Sequence, residues 1–186
     1  MTTGKLLLLW GLVLSLPILA AFADQSHAGD QQGSSLCNAE ETVLFSCRLQ
    51  SKHKPVSLCA SKDLSSSTGY LQYRFGTPGS VELEFPATRD GSQDQFFYSR
   101  YTRHQVSKIS VSFRNGGYAY TIFDVYEGES GGAERERGVL INRAEGKKKG
   151  VKLVCGGVAI SHLGKLEAIL SCDEKLSFGG CNRQTQ

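Results

Sequence analysis

Apolar and polar positions alternate through most of this chain, and the alternation predicts β-strands. From Lys108 to Phe113, apolar residues alternate strictly with serine or lysine, and Val81, Leu83 and Phe85 alternate with serine and glutamate. A period of two turns one face of a strand toward a core and the other toward solvent, as in antiparallel sheets. The pattern predicts strands within 42–49, 55–60, 70–75, 81–85, 96–101, 106–113, 118–126, 138–142 and 151–155.

The clearest hairpin is predicted at Asn115-Gly116, because these two residue types tolerate the positive φ angles of a type I′ turn. That turn sets the register of the two flanking strands. It predicts the cross-strand pairs Phe113–Tyr118, Val111–Tyr120 and Ile109–Ile122, all on one face of the sheet.

One segment, Ser161–Ser171, favours a helix, since Leu163, Leu166 and Ile169 lie near helical spacing. Gly164 weakens this interpretation, and a strand is the alternative. The chain is therefore expected to be all-β, an antiparallel sandwich or small barrel of about eight strands with at most one short helix near the C-terminus. The pattern does not choose between sandwich and barrel.

The first residues have the pattern of a signal peptide, 1–23. Lys5 is followed by an apolar run that ends in Ala21-Phe22-Ala23, the small-x-small pattern that precedes cleavage. The alternative is a membrane anchor, but the run is shorter than the roughly 20 apolar residues of a spanning helix, and Pro17 interrupts it. We therefore expect cleavage after Ala23 and a periplasmic or secreted protein without membrane insertion.

Composition indicates the extent of the mature domain. The polar stretch 24–35 is expected to be a disordered lead-in, 36–181 a single β-rich domain, and 182–186 a flexible tail. The 21 glycines suit a protein rich in turns. The formal net charge of +3 gives no reason to expect a nucleic-acid partner.

The chain has six cysteines, and an even number in an exported protein is typical of disulfides. No CxxC pair occurs, so neither a zinc site nor a redox motif is predicted. If a hairpin is centred on His53, Cys47 and Cys59 lie opposite each other, and we expect them to be bonded. The remaining pairs are then expected to be Cys155–Cys172 and Cys37–Cys181.

Two groups of acids are candidate sites of chemistry. Glu82 and Glu84 share one strand face and suggest a glycosidase pair, but a solvated outer face is the preferred interpretation. The second group suggests a calcium site. Because Arg135 and Arg137 lie between its acids, a loop whose charges neutralise one another is the preferred interpretation. This group comprises Asp124, Glu127, Glu129, Glu134 and Glu136. No catalytic, cofactor-binding or metal-binding residue is predicted.

The segment Phe96–His104 is the best candidate for a recognition surface, because it interleaves aromatic and basic side chains. Such residues stack on sugars and hold carboxylates or phosphates. An ordinary strand is the alternative. The candidate partner-binding residues are Tyr98, Arg100, Tyr101, Arg103 and His104. The turn Lys147–Lys149 is a second basic feature, expected to be solvated.

The chain resembles exported bacterial β-rich proteins that contain cysteines. The resemblance lies in four segments, Val43–Cys47, Val56–Cys59, Gly69–Gly76 and Asn115–Tyr120. This resemblance brings no known activity. The general plan is also similar to that of periplasmic lysozyme inhibitors, although their inhibitory-loop motifs are absent from this chain.

These observations lead to three functional hypotheses. The first is an exported binding or inhibitor domain, whose partner is an envelope protein or polysaccharide. The second is an enzyme acting on cell-wall or carbohydrate substrates, with a site assembled from distant residues. The third is a structural envelope protein. Convergent titratable groups in a pocket would favour the enzyme.

Overall fold

The computed structural model of this 186-residue chain describes Met1 and residues 35–129, 131–144, 150–174 and 176. Five of the sequence-based predictions lie largely or wholly outside these residues: the signal peptide 1–23, the lead-in 24–35, the basic turn Lys147–Lys149, the bonding of Cys181 and the tail 182–186.

The described chain is all-β, which confirms the predicted class, but it contains ten strands rather than about eight. Strand β8 begins well before the predicted 138, and β9 extends past the predicted 155 to Ser161. The strands are β1 Glu41–Leu49, β2 Pro55–Ser61, β3 Leu71–Thr77, β4 Ser80–Phe85, β5 Phe97–Arg103, β6 Val106–Asn115, β7 Tyr118–Glu127, β8 Glu134–Arg143, β9 Val151–Ser161 and β10 Ser171–Cys172.

All ten strands form one sheet in the order β10-β5-β6-β7-β8-β9-β1-β2-β3-β4. Two runs of consecutive antiparallel strands, β1–β4 and β5–β9, therefore lie side by side. They join where β1 pairs with β9, from Phe45 opposite Ser161 to Leu49 opposite Cys155. The short β10 adds to the far edge, parallel to β5.

The sheet curls so that its two ends meet around a shared core. Tyr73 and Phe85, from β3 and β4, contact Phe113 of β6 with ring centroids 5.0 and 4.6 Å apart. Phe96, just before β5, contacts the same ring at 5.4 Å. Burial of this aromatic cluster holds the ends together, since each large ring removes extensive apolar surface from water.

The hairpin between β6 and β7 has two central residues with positive φ, as predicted, but the turn lies one residue further along the chain. Gly116 and Gly117 form it, with φ of 55° and 78°, and Asn115 lies opposite Tyr118. Glycine adopts positive φ at lower cost than asparagine, which explains why the turn is formed by Gly116 and Gly117 rather than by Asn115 and Gly116. The register moves by two positions, so the predicted residues keep their face, and Phe113 stacks on Tyr120 with centroids 4.8 Å apart.

The predicted Cys47–Cys59 bond is wrong, because the β1–β2 register differs from the expected one. Cys47 lies opposite Val56, and Cys59 lies opposite Val43. A bulge between Val43 and Phe45 shifts the pairing by one position along β1.

The observed disulfides are Cys37–Cys59 and Cys47–Cys155, with Cα atoms 5.4 and 5.6 Å apart. The predicted pairs Cys155–Cys172 and Cys37–Cys181 are therefore wrong as well. Cys172 is also disulfide-bonded. One bond fastens the start of the domain to β2, and the other links β1 to β9.

The helix predicted over Ser161–Ser171 is wrong. Ser161 ends β9, and only a short 3-10 turn, Leu163–Leu166, follows. Leu163, Leu166 and Leu170 are nevertheless buried, so their spacing reflects packing against the sheet. Among the described residues, no helix is long and apolar enough to cross a membrane.

A buried ion pair secures the start of the domain to β3. Arg74 donates to both carboxylate oxygens of Glu41, at 2.6 and 2.7 Å, and to the carbonyl of Leu36 at 3.0 Å. The hydroxyl of Tyr70 donates to Glu41 at 2.9 Å. Because the carboxylate and the guanidinium are fully partnered, both charges are compensated inside the protein.

Candidate functional site

The two faces of strands β5 to β8 differ in chemistry. The inner face carries buried residues such as Tyr98, Val111, Ile122 and Val139. The outer face carries hydroxyl-bearing, aromatic and charged side chains, because alternate residues of a strand point to opposite faces. Side chains on this second face line a cavity.

We call this cavity the outer groove. It has a volume of about 1120 Å³ and is lined by the outward side chains of β5 to β8, by Lys152 of β9 and by residues 172–174 and 176. Ligand-binding clefts commonly measure about 300–1,000 Å³, so the outer groove is large enough for a ligand of several rings.

Hydroxyl groups form the part of the outer groove built by β5, β6 and β7. Ser99 lies opposite Ser110, and Ser112 lies opposite Thr121. Ser99 is buried and the other three are partly buried. The Ser112 hydroxyl donates to the Asp173 carboxylate at 3.2 Å, which links this row to the segment that crosses one end of the groove.

Two aromatic side chains of β5 flank Ser99 on the same face. Phe97 lies opposite Ser112 and is 41% exposed, and Tyr101 lies opposite Lys108 and is partly exposed. An exposed phenylalanine beside a groove is a large apolar surface available to a ligand.

The apolar part of the outer groove lies on β7 and β8. Phe123 is 7% exposed, and the ammonium group of Lys152 lies 5.4 Å from its ring centroid. Leu140 lies beside Thr121 and completes this surface. The groove thus offers both hydroxyl and apolar contacts.

Ion pairs engage several of the charged side chains along the outer groove. Arg103 is paired with Glu129 and lies 3.7 Å from Glu127. Lys152 donates to Glu136 at 2.7 Å. The ammonium group of Lys108 lies 3.8 Å from the Glu127 carboxylate. Three of the four basic side chains that line the groove thus lie close to carboxylates.

The structure divides the predicted recognition surface between two faces. Tyr98 is fully buried, and burial, with a smaller contribution from nearby Glu167, raises its pKa to about 12. Arg100 points to the same inner side and pairs with Glu167 at 2.6 Å. Tyr101 and Arg103 line the outer groove, whereas His104 is exposed in the turn after β5.

The glutamates considered as a glycosidase pair are both bound in ion pairs. Glu82 lies 2.7 Å from the ammonium group of Lys54, and Glu84 accepts from Arg74 at 2.9 Å. Both glutamates are on β4, at the edge of the sheet opposite β10.

Most of the acids that suggested calcium binding are paired with cations, namely Asp124, Glu127, Glu129 and Glu136. Asp124 is buried and accepts from Arg135 at 2.8 Å and from Arg137 at 3.0 Å. Burial by itself raises the pKa of Asp124, but hydrogen bonds from Arg135, Ser161 and Arg137 outweigh it and leave the pKa lowered. Across the described ranges, the group of potential metal ligands that comes close together is Cys37, Glu41 and Cys59, whose cysteines are bonded to each other.

The hydroxyl row of the outer groove was missed by the sequence-based reasoning. The sequence signal for this row is the alternation of Ser110 and Ser112 with the core residues of β6. That alternation predicted only a solvent-exposed strand face. The contribution of β5 was hidden because Phe96 and Phe97 both look apolar, although the first is buried and the second exposed.

Comparisons with known proteins add no further assignment: no family model matches the chain, and no curated protein or solved structure matches it significantly. The candidate site is therefore defined by the geometry of its own residues.

Proposed function

We propose that this chain is an exported binding or inhibitor domain and that the outer groove is its ligand-binding surface. The observation that carries the proposal is the groove of about 1120 Å³, lined by partly buried hydroxyl and aromatic side chains. The groove places the exposed ring of Phe97 beside hydroxyl groups in one concave surface, the combination of apolar and convergent polar contacts typical of ligand sites.

The outer groove is built on regular strands, which supports a role in binding. Strands β6 and β7 pair without interruption over ten residues, and β7 pairs with β8 over ten more. Side chains on such strands are already positioned, so a ligand loses less free energy to ordering the site.

Two features support export. The disulfides Cys37–Cys59 and Cys47–Cys155 are consistent with an oxidising compartment. The leader pattern in 1–23 belongs to the same proposal.

The test is to obstruct the outer groove with Thr121→Arg, which places a long cationic side chain among its lining residues. The parent protein should bind a component of the protein or polysaccharide fraction of an envelope extract, and the variant should lose at least about tenfold in affinity, as expected for a blocked site. The matched control is Val158→Arg, on an exposed residue of β9 that does not line the groove.

Thermal unfolding of both variants must first show that the fold survives. Binding that is unchanged in a folded Thr121→Arg variant would reject the outer groove as the binding surface, as would equal losses in both variants.

A further inference from the structure

We infer that the outer groove takes an extended, uncharged glycan, with Phe97 and Tyr101 as two stacking platforms and the hydroxyl row between β5 and β7 as its polar contact. This inference rests on the proposed function and specifies the ligand class of the same site. It follows from four features of the groove.

The first feature is that the groove is a sheet face and not a sheet edge. Strands β5 to β8 are paired with one another along the groove. Their backbone N–H and C=O groups in this region are therefore already used within the sheet. An extended peptide gains most of its affinity from such groups at an open edge, so this face suits a ligand recognised through side chains.

The second feature is the row of hydroxyl groups. Ser99, Ser110, Ser112 and Thr121 lie in two adjacent cross-strand pairs. A hydroxyl both donates and accepts hydrogen bonds, and the hydroxyls of a sugar do the same, so the two sets are complementary. An acyl chain would cover these groups without bonding to them, which is costly.

The third feature is the spacing of the aromatic rings. Phe97 and Tyr101 are four residues apart on one face of β5, which corresponds to about 13 Å along a strand. Each ring offers a flat apolar surface to the C–H face of a sugar ring. Two platforms at this distance, with Ser99 between them, match a chain of several sugars better than a single one.

The fourth feature is the balance of charge. Four basic residues line the groove, Arg103, Lys108, Arg114 and Lys152, against three acidic ones, Glu136, Asp173 and Glu174. Two of the basic residues, Arg103 and Lys152, form direct ion pairs with Glu129 and Glu136. A polyanion would have to compete with these carboxylates, whereas an uncharged glycan leaves the ion pairs intact.

The experiment uses the full exported chain with its disulfides intact and measures binding to uncharged cello-, chito- and malto-hexasaccharides, with polygalacturonate as the anionic comparison. We expect at least one uncharged hexasaccharide to bind. Phe97→Ala and Tyr101→Ala should each weaken that binding about tenfold, the effect of losing one stacking platform. Tyr101→Phe, which keeps the ring, should stay close to the parent.

Tyr118→Ala is the matched control, because Tyr118 is an exposed aromatic residue, 39% accessible, that does not line the groove. It should bind like the parent. Thermal unfolding confirms that each variant is folded before binding is compared.

The inference is overturned if no uncharged hexasaccharide binds at about 1 mM, a concentration that reveals even weak complexes. It is also overturned if polygalacturonate binds in preference, or if both alanine variants bind like the parent. If Thr121→Arg removes binding to an envelope protein while no hexasaccharide binds, the proposed function stands and the glycan class fails. If a hexasaccharide binds equally to the parent and to Thr121→Arg, the outer groove itself is rejected.

Discussion

Arg74 and Glu41 form a two-pronged ion pair inside the protein, with N–O distances of 2.6 and 2.7 Å and the carboxylate wholly shielded from solvent. The pair joins β3 to the first residue of β1. Removing one partner would leave the other buried charge without its closest counter-ion, since Glu84 lies farther from Arg74, at 2.9 Å, and Arg89 lies farther from Glu41, at 3.9 Å. Such a loss is more costly than losing a surface pair.

We therefore expect Arg74→Met to lower the free energy of unfolding by about 3–5 kcal/mol. Lys54→Met, which breaks the exposed Lys54–Glu82 pair, should cost about 1 kcal/mol or less. Urea unfolding measures both. The double variant Arg74→Met with Glu41→Met should recover part of the loss, and its failure to do so would argue that the two charges are not the main cause.

The stability of the domain should fall in acid because two buried carboxylates have lowered pKa values. Burial alone raises the pKa of Glu41, but bonds from Arg74, the Asn38 backbone and Tyr70 outweigh it, and the pKa falls below its ordinary value of 4.5. The pKa of Asp124 is lowered from its ordinary value of 3.8 because the hydrogen bonds to its carboxylate outweigh burial. Because each carboxylate has a lower pKa in the folded protein than in the unfolded chain, its ionised form stabilises the fold above the unfolded-chain pKa. This stabilisation is lost as pH falls through the pKa of the folded protein.

Unfolding free energies measured between about pH 7 and about pH 3 should therefore drop most steeply below about pH 4.5. Glu41→Gln should be less stable than the parent at neutral pH but lose less on acidification. Glu82→Gln, at an exposed position, should follow the parent curve. A Glu41→Gln curve parallel to that of the parent would contradict the assignment.

The disulfides Cys47–Cys155 and Cys37–Cys59 should differ in their contribution to stability, because they close loops of different length. Sequence separations are 108 residues for Cys47–Cys155 and 22 for Cys37–Cys59. In the chain-entropy model these correspond to about 5 and about 3 kcal/mol. Paired alanine substitutions at each bond, compared by denaturant unfolding, should preserve this order, and the reverse order would show that factors other than loop closure dominate.

Gly138 of β8 has no room for a side chain. A Cβ atom there would overlap the carbonyl oxygen of Leu153 and press on the ring of Phe123. Gly138→Ala should therefore cost about 2–3 kcal/mol. Gly132→Ala, where nothing lies within 4 Å, should change stability by about 0.5 kcal/mol or less. Thermal unfolding of the two variants provides the comparison, and similar melting temperatures would refute the close contact.

Export makes a prediction that is independent of the fold. If Ala21-Phe22-Ala23 is the cleavage signal, N-terminal sequencing of the mature protein from the periplasm or medium should begin at Asp24. A cytoplasmic protein that retains Met1 would contradict the proposed compartment.

Local patterns predicted the strands well, because alternation and turn chemistry act over neighbouring residues. The turn at Gly116-Gly117 was placed within one residue, and the faces of β6 and β7 were assigned correctly. The β1–β2 turn is centred between Ser51 and Lys52 rather than on His53, so Cys47 lies opposite Val56 instead of Cys59. The bulge between Val43 and Phe45 adds a further shift of one position, and neither feature has a comparable local signal.

Long-range relationships could not be predicted from the same patterns. Nothing near Cys47 indicates that β1 pairs with β9, more than a hundred residues later. The outer groove requires β5 to β8 in register and residues 172–174 and 176 at one end, and no local pattern places these elements together. The sequence identified Tyr101 and Arg103 as candidates, while the burial of Tyr98 depends on how the whole sheet curls.

The strand order has a consequence for how the chain acquires its structure. Each of the two strand runs, β1–β4 and β5–β9, contains only pairings between neighbours in sequence, which form quickly because the loops that must close are short. Only the β1–β9 contact spans nearly the whole domain. During synthesis or export from the N-terminus, β1 has a free edge until β9 arrives. Folding is therefore expected to form the two strand runs first and to join them late, when β9 pairs with β1. Until then the edge of β1 is available for pairing with another chain.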